Sequence, residues 1–485
     1  MPPAHTPRQP DLRTRLRWAS RFRAAIAADI DTLATLAERE IGKPPIETIT
    51  ADLYPVMATC ARLGRRAGRV LRTRRLGGTP MWLPGVRVRV ERAPLGSVGI
   101  IATWNYPVGL LGVQLAQAVV AGNRVIVKPS ERAPETQTRL LELAAGALDA
   151  VGMPAGTIRV APAEREAGEA LAASEEIDHL VFTGSTDVGR KIASSLAPRL
   201  VTSELELSGR DSALVLADAD PKLAARVLVT TLNMNAGQTC MAPRRVLVAA
   251  EVFDAFCAAA TDALRDLPPR PMIDGASADH CRSLHAEALA RGGRDLHPAA
   301  DLGDAQSMRP AMVVTDPEDT LGEGRHFGPL CAVVRVASLD EAIAAHRRCD
   351  QHLATSVFTR SPRAHAALPA RLGVTTVTFN DCIIPTAHPG AAIGGLGPSG
   401  WGVTQGDAGL LALTRPVHVS RTHPLVRIPP KPPEPAQAGL LARSARLLYG
   451  RNAPRGGPST ATLVRWSADS RSAHTDRANP VQEPS

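Results

Sequence analysis

One cysteine of this 485-residue chain sits where a packed strand would have little use for its neighbours. In Asn235-Ala236-Gly237-Gln238-Thr239-Cys240-Met241-Ala242-Pro243-Arg244 it closes an apolar-rich run and is wrapped in amides, a glycine and a threonine. Such residues suit a loop or a helix start, where backbone N–H groups can stabilise a thiolate and receive a developing oxyanion. The competing reading is a small core residue, because intracellular cysteines are often buried and inert. From these residues alone Cys240 stays open between nucleophile and core thiol.

Other stretches carry polar groups at the ends of apolar runs. In Ala102-Thr103-Trp104-Asn105-Tyr106-Pro107 the Asn105 amide could donate to a substrate oxygen, although taken alone it reads as an Asx-turn or helix-cap residue before Pro107. Glu204-Leu205-Glu206-Leu207-Ser208-Gly209 sets two acids beside a flexible turn, where either could be solvated strand decoration. FTGSTDVGR places Gly184, Ser185 and Gly189 after a strand and at a helix start, chemistry that suits a pyrophosphate on N-terminal amides but lacks GxGxxG spacing. VIVKPSE puts Lys128, Ser130 and Glu131 just beyond a strand's carboxyl end, where open α/β sheets bind ligands; a solvated charge pair is the alternative.

The elements that must position these groups show in the apolar rhythm. Arg13 to Glu40 has helical spacing (Leu16, Ala19, Phe22, Ile26, Ile30, Leu33, Leu36) and ends at the breaker Gly42-Lys43-Pro44-Pro45. Met81 to Arg92 alternates apolar and basic residues around Pro84-Gly85, which predicts a hairpin with one solvated face. From Gly96 short apolar strands alternate with alanine-rich helices (SVGIIAT, RVIVKPS, TIRVAP, DHLVFTGS), and a second such series runs from ALVLAD to VTTVTFN. The fold class expected is α/β, with parallel sheets covered by helices. The stretch from Arg265 to Met308 resists assignment. After Val419 the composition turns rich in Pro, Arg, Ser and Ala, as in a disordered tail, except that GLLARSARLLYGR could form a basic amphipathic helix able to touch a membrane surface or a partner.

Composition excludes several classes. The seven cysteines are odd in number and scattered, without CxxC or Cys/His ligand spacing, which argues for reduced thiols in a cytoplasm and against a metal site. No apolar run is long enough to span a bilayer. The net charge of +9 invites a nucleic-acid reading. Yet ten Lys/Arg against four Asp/Glu lie from Arg421 onward, so the preceding 420 residues carry only +3. Aromatics for base stacking make up 3% of the chain, and no nucleic-acid partner is expected.

Taken together and in order, GSVGIIATWNYP, VAGNRVIVKPSERAP, GMPAGTIRV, FTGSTDVGR, ELELSGRDSALVLADAD, NAGQTCMAPRRVLV, HFGPL, VTFND and GGLGPSGWG resemble the aldehyde dehydrogenase superfamily. WNYP, GGLGPSGWG and LVRIPP are similar to its class 3 and coniferyl-aldehyde branch. The resemblance implies a Rossmann-type cofactor domain, an α/β catalytic domain and a small oligomerisation hairpin. The expected division is 1–75 with 95–206 for cofactor, 207–407 for catalysis, 76–94 with 408–420 for oligomerisation, and 421–485 as tail. It implies NAD(P)-dependent oxidation of an aldehyde to a carboxylic acid. Cys240 would be the nucleophile, Asn105 the oxyanion donor and Glu206 the base that hydrolyses the thioester. Trp104, Lys128, Ser130, Glu131, Gly184, Ser185, Gly189 and Phe327 would form the cofactor cleft. Glu131 should accept bonds from a ribose 2′-OH and repel a 2′-phosphate, favouring NAD with NADP possible. A cytoplasmic homodimer or homotetramer is implied.

Two departures stand out. The glutamate of the family's ExFGP motif is Arg325 here, inverting a charge beside the nicotinamide ribose. The usual ELGGK is ELSGR, with Ser208 close to Glu206 and Arg210 for the lysine. Loss of activity, or release of the acyl group to CoA in place of water, are the competing expectations.

Overall fold

The computed structural model describes residues 10–80, 83, 85–298, 302–423 and 435–450. Two units divide the chain, Met1–Pro80 with Arg87–Arg421, and Met81–Val86 with Thr422–Ser485. In the first, the helical run expected over Arg13 to Glu40 is two helices, Leu12–Ala28 and Ile30–Ile41. The break falls at Asp29, which leaves helical geometry (φ −116°, ψ 20°) while its carboxylate receives two bonds from the Arg139 guanidinium. A periodicity of apolar residues does not register such a break, since Ile26 and Ile30 keep their places on the buried face. The second helix stops at Gly42 in a left-handed conformation (φ 67°).

A six-stranded sheet has the order Gly400–Trp401, Thr202–Glu206, His179–Thr183, Ser97–Ile101, Arg124–Lys128, Ile158–Val160, parallel except for the Gly400–Trp401 edge. Its central strands are buried throughout, as parallel strands covered on both faces must be. A seven-stranded sheet has the order Arg294–Asp295, Ala311–Val314, Leu330–Val336, Arg245–Ala249, Ser212–Val215, Ala354–Phe358, Thr376–Phe379, again parallel but for the first. The α/β reading holds for both series. Arg265 to Met308, unassigned from sequence, contains the helix Gly275–Ala290.

A third sheet of three strands joins Arg74–Leu76, Val86–Pro94 and Thr414–Thr422. The alternating run was expected to be a hairpin folded at Pro84-Gly85. Its second arm forms, but that arm pairs antiparallel with Arg74–Leu76. Met81, Trp82 and Pro84 lie outside the described residues, as does most of the tail. Within the second unit GLLARSARLLYGR does form a helix, Pro435–Tyr449, with Leu440, Leu441, Leu447 and Leu448 exposed. No helix among the described residues is long and apolar enough to cross a membrane.

Beneath the six-stranded sheet the main core gathers helices Leu12–Ala28, Tyr54–Val70, Gly109–Ala121 and Pro134–Asp149. Trp18 and Phe22 stack at 5.3 Å, fully buried, and the Trp18 indole N–H donates to the Ala144 carbonyl at 3.0 Å. Trp18→Ala is expected to cost about 3–5 kcal/mol, read as a lowered urea midpoint for the first unit.

Candidate active site

The segment holding Cys240 is bent by three successive left-handed residues, Asn235 (φ 50°), Ala236 (φ 52°) and Gly237 (φ 65°). The last must be glycine twice over, since a Cβ there would also lie 2.6 Å from the Gly328 carbonyl oxygen. What holds this bend is Arg244. Its side chain is fully buried, and Nη1 donates to the carbonyls of Gly237 and Gly328 at 3.0 Å while Nη2 donates to that of Thr239 at 2.9 Å. One guanidinium therefore ties the cysteine loop to the His326-Phe327-Gly328-Pro329 loop. Gly209 closes the third side, where a Cβ would stand 2.7 Å from the Cys240 carbonyl oxygen.

Asn105 reaches the same place from the end of strand Ser97–Ile101. Its Nδ2 donates to the Gln238 carbonyl at 3.0 Å, and neighbouring Tyr106 bonds the Thr239 hydroxyl at 2.8 Å. Lys43 and Asp52, an ion pair with no solvent exposure, fix this turn from below. Asp52 accepts from the amides of Val108 (3.2 Å) and Gly109 (2.7 Å), and Lys43 donates to the Asn105 carbonyl at 3.1 Å and lies 3.7 Å over the Tyr106 ring. Glu206 ends strand Thr202–Glu206, buried, with one oxygen accepting from the Thr404 hydroxyl at 3.2 Å.

Asn105, Glu206 and Cys240 thus line one cleft of about 750 Å³, together with Trp104, Gly184, Ser185, Arg325 and Phe327. Burial raises the Glu206 carboxyl to about 7, with the Thr404 bond pulling the other way. Burial also pushes the Cys240 thiol well above its ordinary value, and the carboxylates of Glu206 and Asp211 add to the rise. The same surroundings favour the neutral thiol over the thiolate.

An adjoining cleft of about 530 Å³ shares Thr103, Trp104, Thr183, Gly184 and Ser185 with the first and holds Lys128, Ser130 and Glu131. Lys128 and Glu131 form an ion pair at 2.8 Å. Ser185 caps helix Thr186–Leu196, its hydroxyl accepting from the Val188 amide. Trp104 and Phe327 meet edge to face at 5.8 Å. Gly189 lines neither cleft: it lies inside the helix, where a Cβ would meet Leu207 at 2.5 Å, so its smallness serves packing. A third, apolar cavity of about 240 Å³, lined by Tyr106, Leu110, Val113, Met241, Ile383 and Ile393 among others, shares only Glu206 and Cys240 with the large cleft.

The two departures have definite places. Arg325 lines the large cleft, exposed, and its Nε pairs with Glu323 at 2.7 Å, so an acid two positions earlier offsets the inverted charge. Ser208 lines the same cleft, and its carbonyl accepts from Gln351 (2.6 Å) and Ser399 (3.1 Å). Sequence reasoning missed Lys43, Asp52, Arg244 and Thr404. Lys43 stands in a stretch read only as a breaker; Arg244, charged yet directly before a wholly buried strand, was the one with a usable signal.

Comparison with known proteins follows the same residues. Residues 4–419 match the Aldehyde dehydrogenase family. A 4,4′-diapolycopene aldehyde oxidase of Methylomonas sp. is 30% identical over 83% of this chain and 76% of its own. A coniferyl aldehyde dehydrogenase of Pseudomonas sp. is 33% identical over 67% of this chain and 69% of its own. The crystal structure of a Mycobacterium tuberculosis aldehyde dehydrogenase complexed with NAD+ superposes with a TM-score of 0.77 at 27% identity, covering 85% of this chain and 86% of that one.

Arg244→Met would leave three carbonyls without their donor. It is expected to cost about 3 kcal/mol or more, measured by chemical denaturation. Arg244→Lys should recover only part of the loss, because one ammonium cannot span the Gly237/Gly328 pair and Thr239 together.

Proposed function

The chain belongs to the aldehyde dehydrogenase family and oxidises aldehydes to carboxylic acids with NAD(P), and from that premise we propose that Cys240 is the nucleophile, Glu206 the base and Asn105 the oxyanion donor. The observation that carries this assignment is that the apolar cavity and the large polar cleft meet at Cys240 and Glu206 alone. An aldehyde seated in the first presents its carbonyl to the thiol. Glu206, ionised in part at neutral pH, takes the thiol proton. Attack on the carbonyl carbon gives a thiohemiacetal whose oxyanion would be received by the Asn105 amide, on exchanging its Gln238 partner, and by the Cys240 backbone N–H. After hydride loss the carbon is a thioester, and Glu206, once it has given up the thiol proton to solvent, removes a proton from the water that hydrolyses it.

Paired clefts of about 530 and 750 Å³ with shared walls suit a dinucleotide, whose nicotinamide supplies the hydride acceptor when bound. Ser130, Lys128 and Glu131 would hold its adenosine end. Gly184 and Ser185 stand at the amino end of an eleven-residue helix, where backbone amides favour a pyrophosphate. Trp104 and Phe327 would flank the nicotinamide. A carboxylate at Glu131 favours a free 2′-OH, while Lys128, Arg165 and Lys191 in the same cleft would tolerate a phosphate; NAD is the preferred acceptor. The lining of the small cavity supports apolar aldehydes, aromatic or medium-chain, in keeping with the names of the coniferyl and diapolycopene relatives. Residues 1–75 and 95–206 would form the cofactor domain and 207–407 the catalytic domain. The three-stranded sheet would serve assembly into a homodimer or homotetramer, and seven unpaired cysteines support a reducing cytoplasm.

Cys240→Ser should abolish aldehyde-dependent NADH formation, and a wild type inactive with every aldehyde and both cofactors would overturn the reading. Because Glu206 works ionised, thioester hydrolysis should rise with pH through about 7 and level off above it. Glu206→Gln should lower turnover by about a hundredfold and slow the first burst of NADH with it, because the same carboxylate takes the thiol proton. Glu131→Gln should narrow the ratio of kcat/KM for NAD over NADP, measured in parallel titrations.

A further inference from the structure

Glu206 is not alone on its strand. Thr202, Glu204 and Glu206 alternate along Thr202–Glu206 and so share one face. In the neighbouring parallel strand His179 pairs with Thr202 in register, which puts its ring on that same face. The imidazole Nδ1 bonds the Thr202 hydroxyl at 2.8 Å, and Nε2 stands 3.8 Å from Glu204 Oε1. His179, Glu204 and Glu206 are all buried, yet among the described residues His179 Nε2, Glu204 Oε1 and Glu206 Oε1 have no hydrogen-bond partner. Thr202, at the far end, is exposed.

A second buried acid is costly unless it is used. Among the described residues its sole ion-pair partner is His179, and no arginine or lysine compensates it. The edge segment opposite makes room for it: at Gly402 (φ +84°) a Cβ would fall 2.7 Å from Glu204 Cγ. The groups around the pair are Thr202, Thr183 with its Gln114 partner, Thr404 and Glu206, of which only Glu206 carries charge.

We propose that Glu204 and His179 are a proton relay that carries the proton taken by Glu206 back along the strand to the solvent-facing end at Thr202, about 13 Å away. The inference rests on the base role of Glu206. In hydrolysis the water oxygen bonds the thioester carbon as one of its protons passes to Glu206. The C–S bond then breaks, the second water proton goes to the departing Cys240 sulfur, and the acid leaves as carboxylate. Hydrolysis thus leaves one proton on buried Glu206, and the thiol proton taken at activation makes two that it must discharge in each turnover. Glu204 is the next acid along the face, and His179 links it to the exposed hydroxyl. Burial brings the two carboxyls close in proton affinity, Glu206 at about 7 and Glu204 at about 8, so transfer between them is nearly level. The same burial holds His179 down at about 4, so the imidazole stays neutral and passes a proton only by giving one up at Nδ1, toward Thr202, as it takes another at Nε2, from Glu204.

The test uses p-nitrophenyl acetate with the full chain, because this ester acylates Cys240 without cofactor and separates acylation, seen as a burst, from hydrolysis, seen as the steady state. Glu204→Gln and His179→Gln should keep the wild-type burst, slow the steady state at least about tenfold and leave it still rising with pH above 7, where the wild type has levelled off. Glu204→Asp should restore the levelling. A Glu204→Gln steady state within twofold of wild type at every pH overturns the relay. So does a parallel fall of burst, steady state and melting temperature in Glu204→Gln and Glu204→Asp alike, which would mark a packing role. A wild type without any burst removes the Cys240 assignment and the relay with it, whereas a normal wild-type burst with an unaffected Glu204→Gln removes the relay alone.

Discussion

A single buried guanidinium sets the geometry on which the rest depends. Arg244 satisfies carbonyls from two separate loops, and its own amide donates to the Asp211 carbonyl at 2.9 Å. Asp211 in turn accepts from the amides of Leu353 and Ala354 through its side chain. The left-handed run at 235–237 is a conformation that L-residues adopt at a cost. It persists because leaving it would strand Arg244 and three carbonyls in a dry interior, a larger loss. The cysteine loop, the Phe327 loop and the seven-stranded sheet are therefore positioned by one group that takes part in no bond-making step.

Burial also decides the electrostatics. Among the described residues Arg244 is the cation that bears on Cys240, and it is occupied with carbonyls, so burial and the nearby carboxylates favour the protonated thiol. Activation then falls to Glu206, whose own affinity for protons has been raised by the same dry environment. The proposed nucleophile and base are matched because one dielectric acts on both. Asn105 is held ready by a different buried pair, Lys43 and Asp52, which pins the turn where helix Gly109–Ala121 begins.

Much of this was legible in the sequence, and the rest was not for identifiable reasons. Small polar residues at strand ends, poor core material, singled out the stretches of Cys240, Asn105 and Glu206 but left each open; the family resemblance supplied their roles, and the structure brings the three to one cleft. The alternation of apolar runs gave both parallel sheets. Gly189 was read as a phosphate contact, since a sequence cannot distinguish a glycine cleared for a ligand from one cleared for Leu207. The hairpin arm was misplaced because alternation specifies a strand but not its partner. Asp29 broke a helix without disturbing its apolar stripe. Lys43 with Asn105, Asp52 with Gly109, and Arg244 with Gly328 meet across 62, 57 and 84 positions of sequence, partnerships that no local pattern encodes.

The separateness of the two chambers has a kinetic meaning. The small apolar cavity and the large polar cleft share only Glu206 and Cys240. On the proposed roles, aldehyde and dinucleotide approach one sulfur by different doors, and neither has to leave for the other to come or go. Geometry imposes no compulsory order of product release. Which species lingers is left to affinity alone, and the covalent acyl group on the sulfur can outlast an exchange of dinucleotide on its other side.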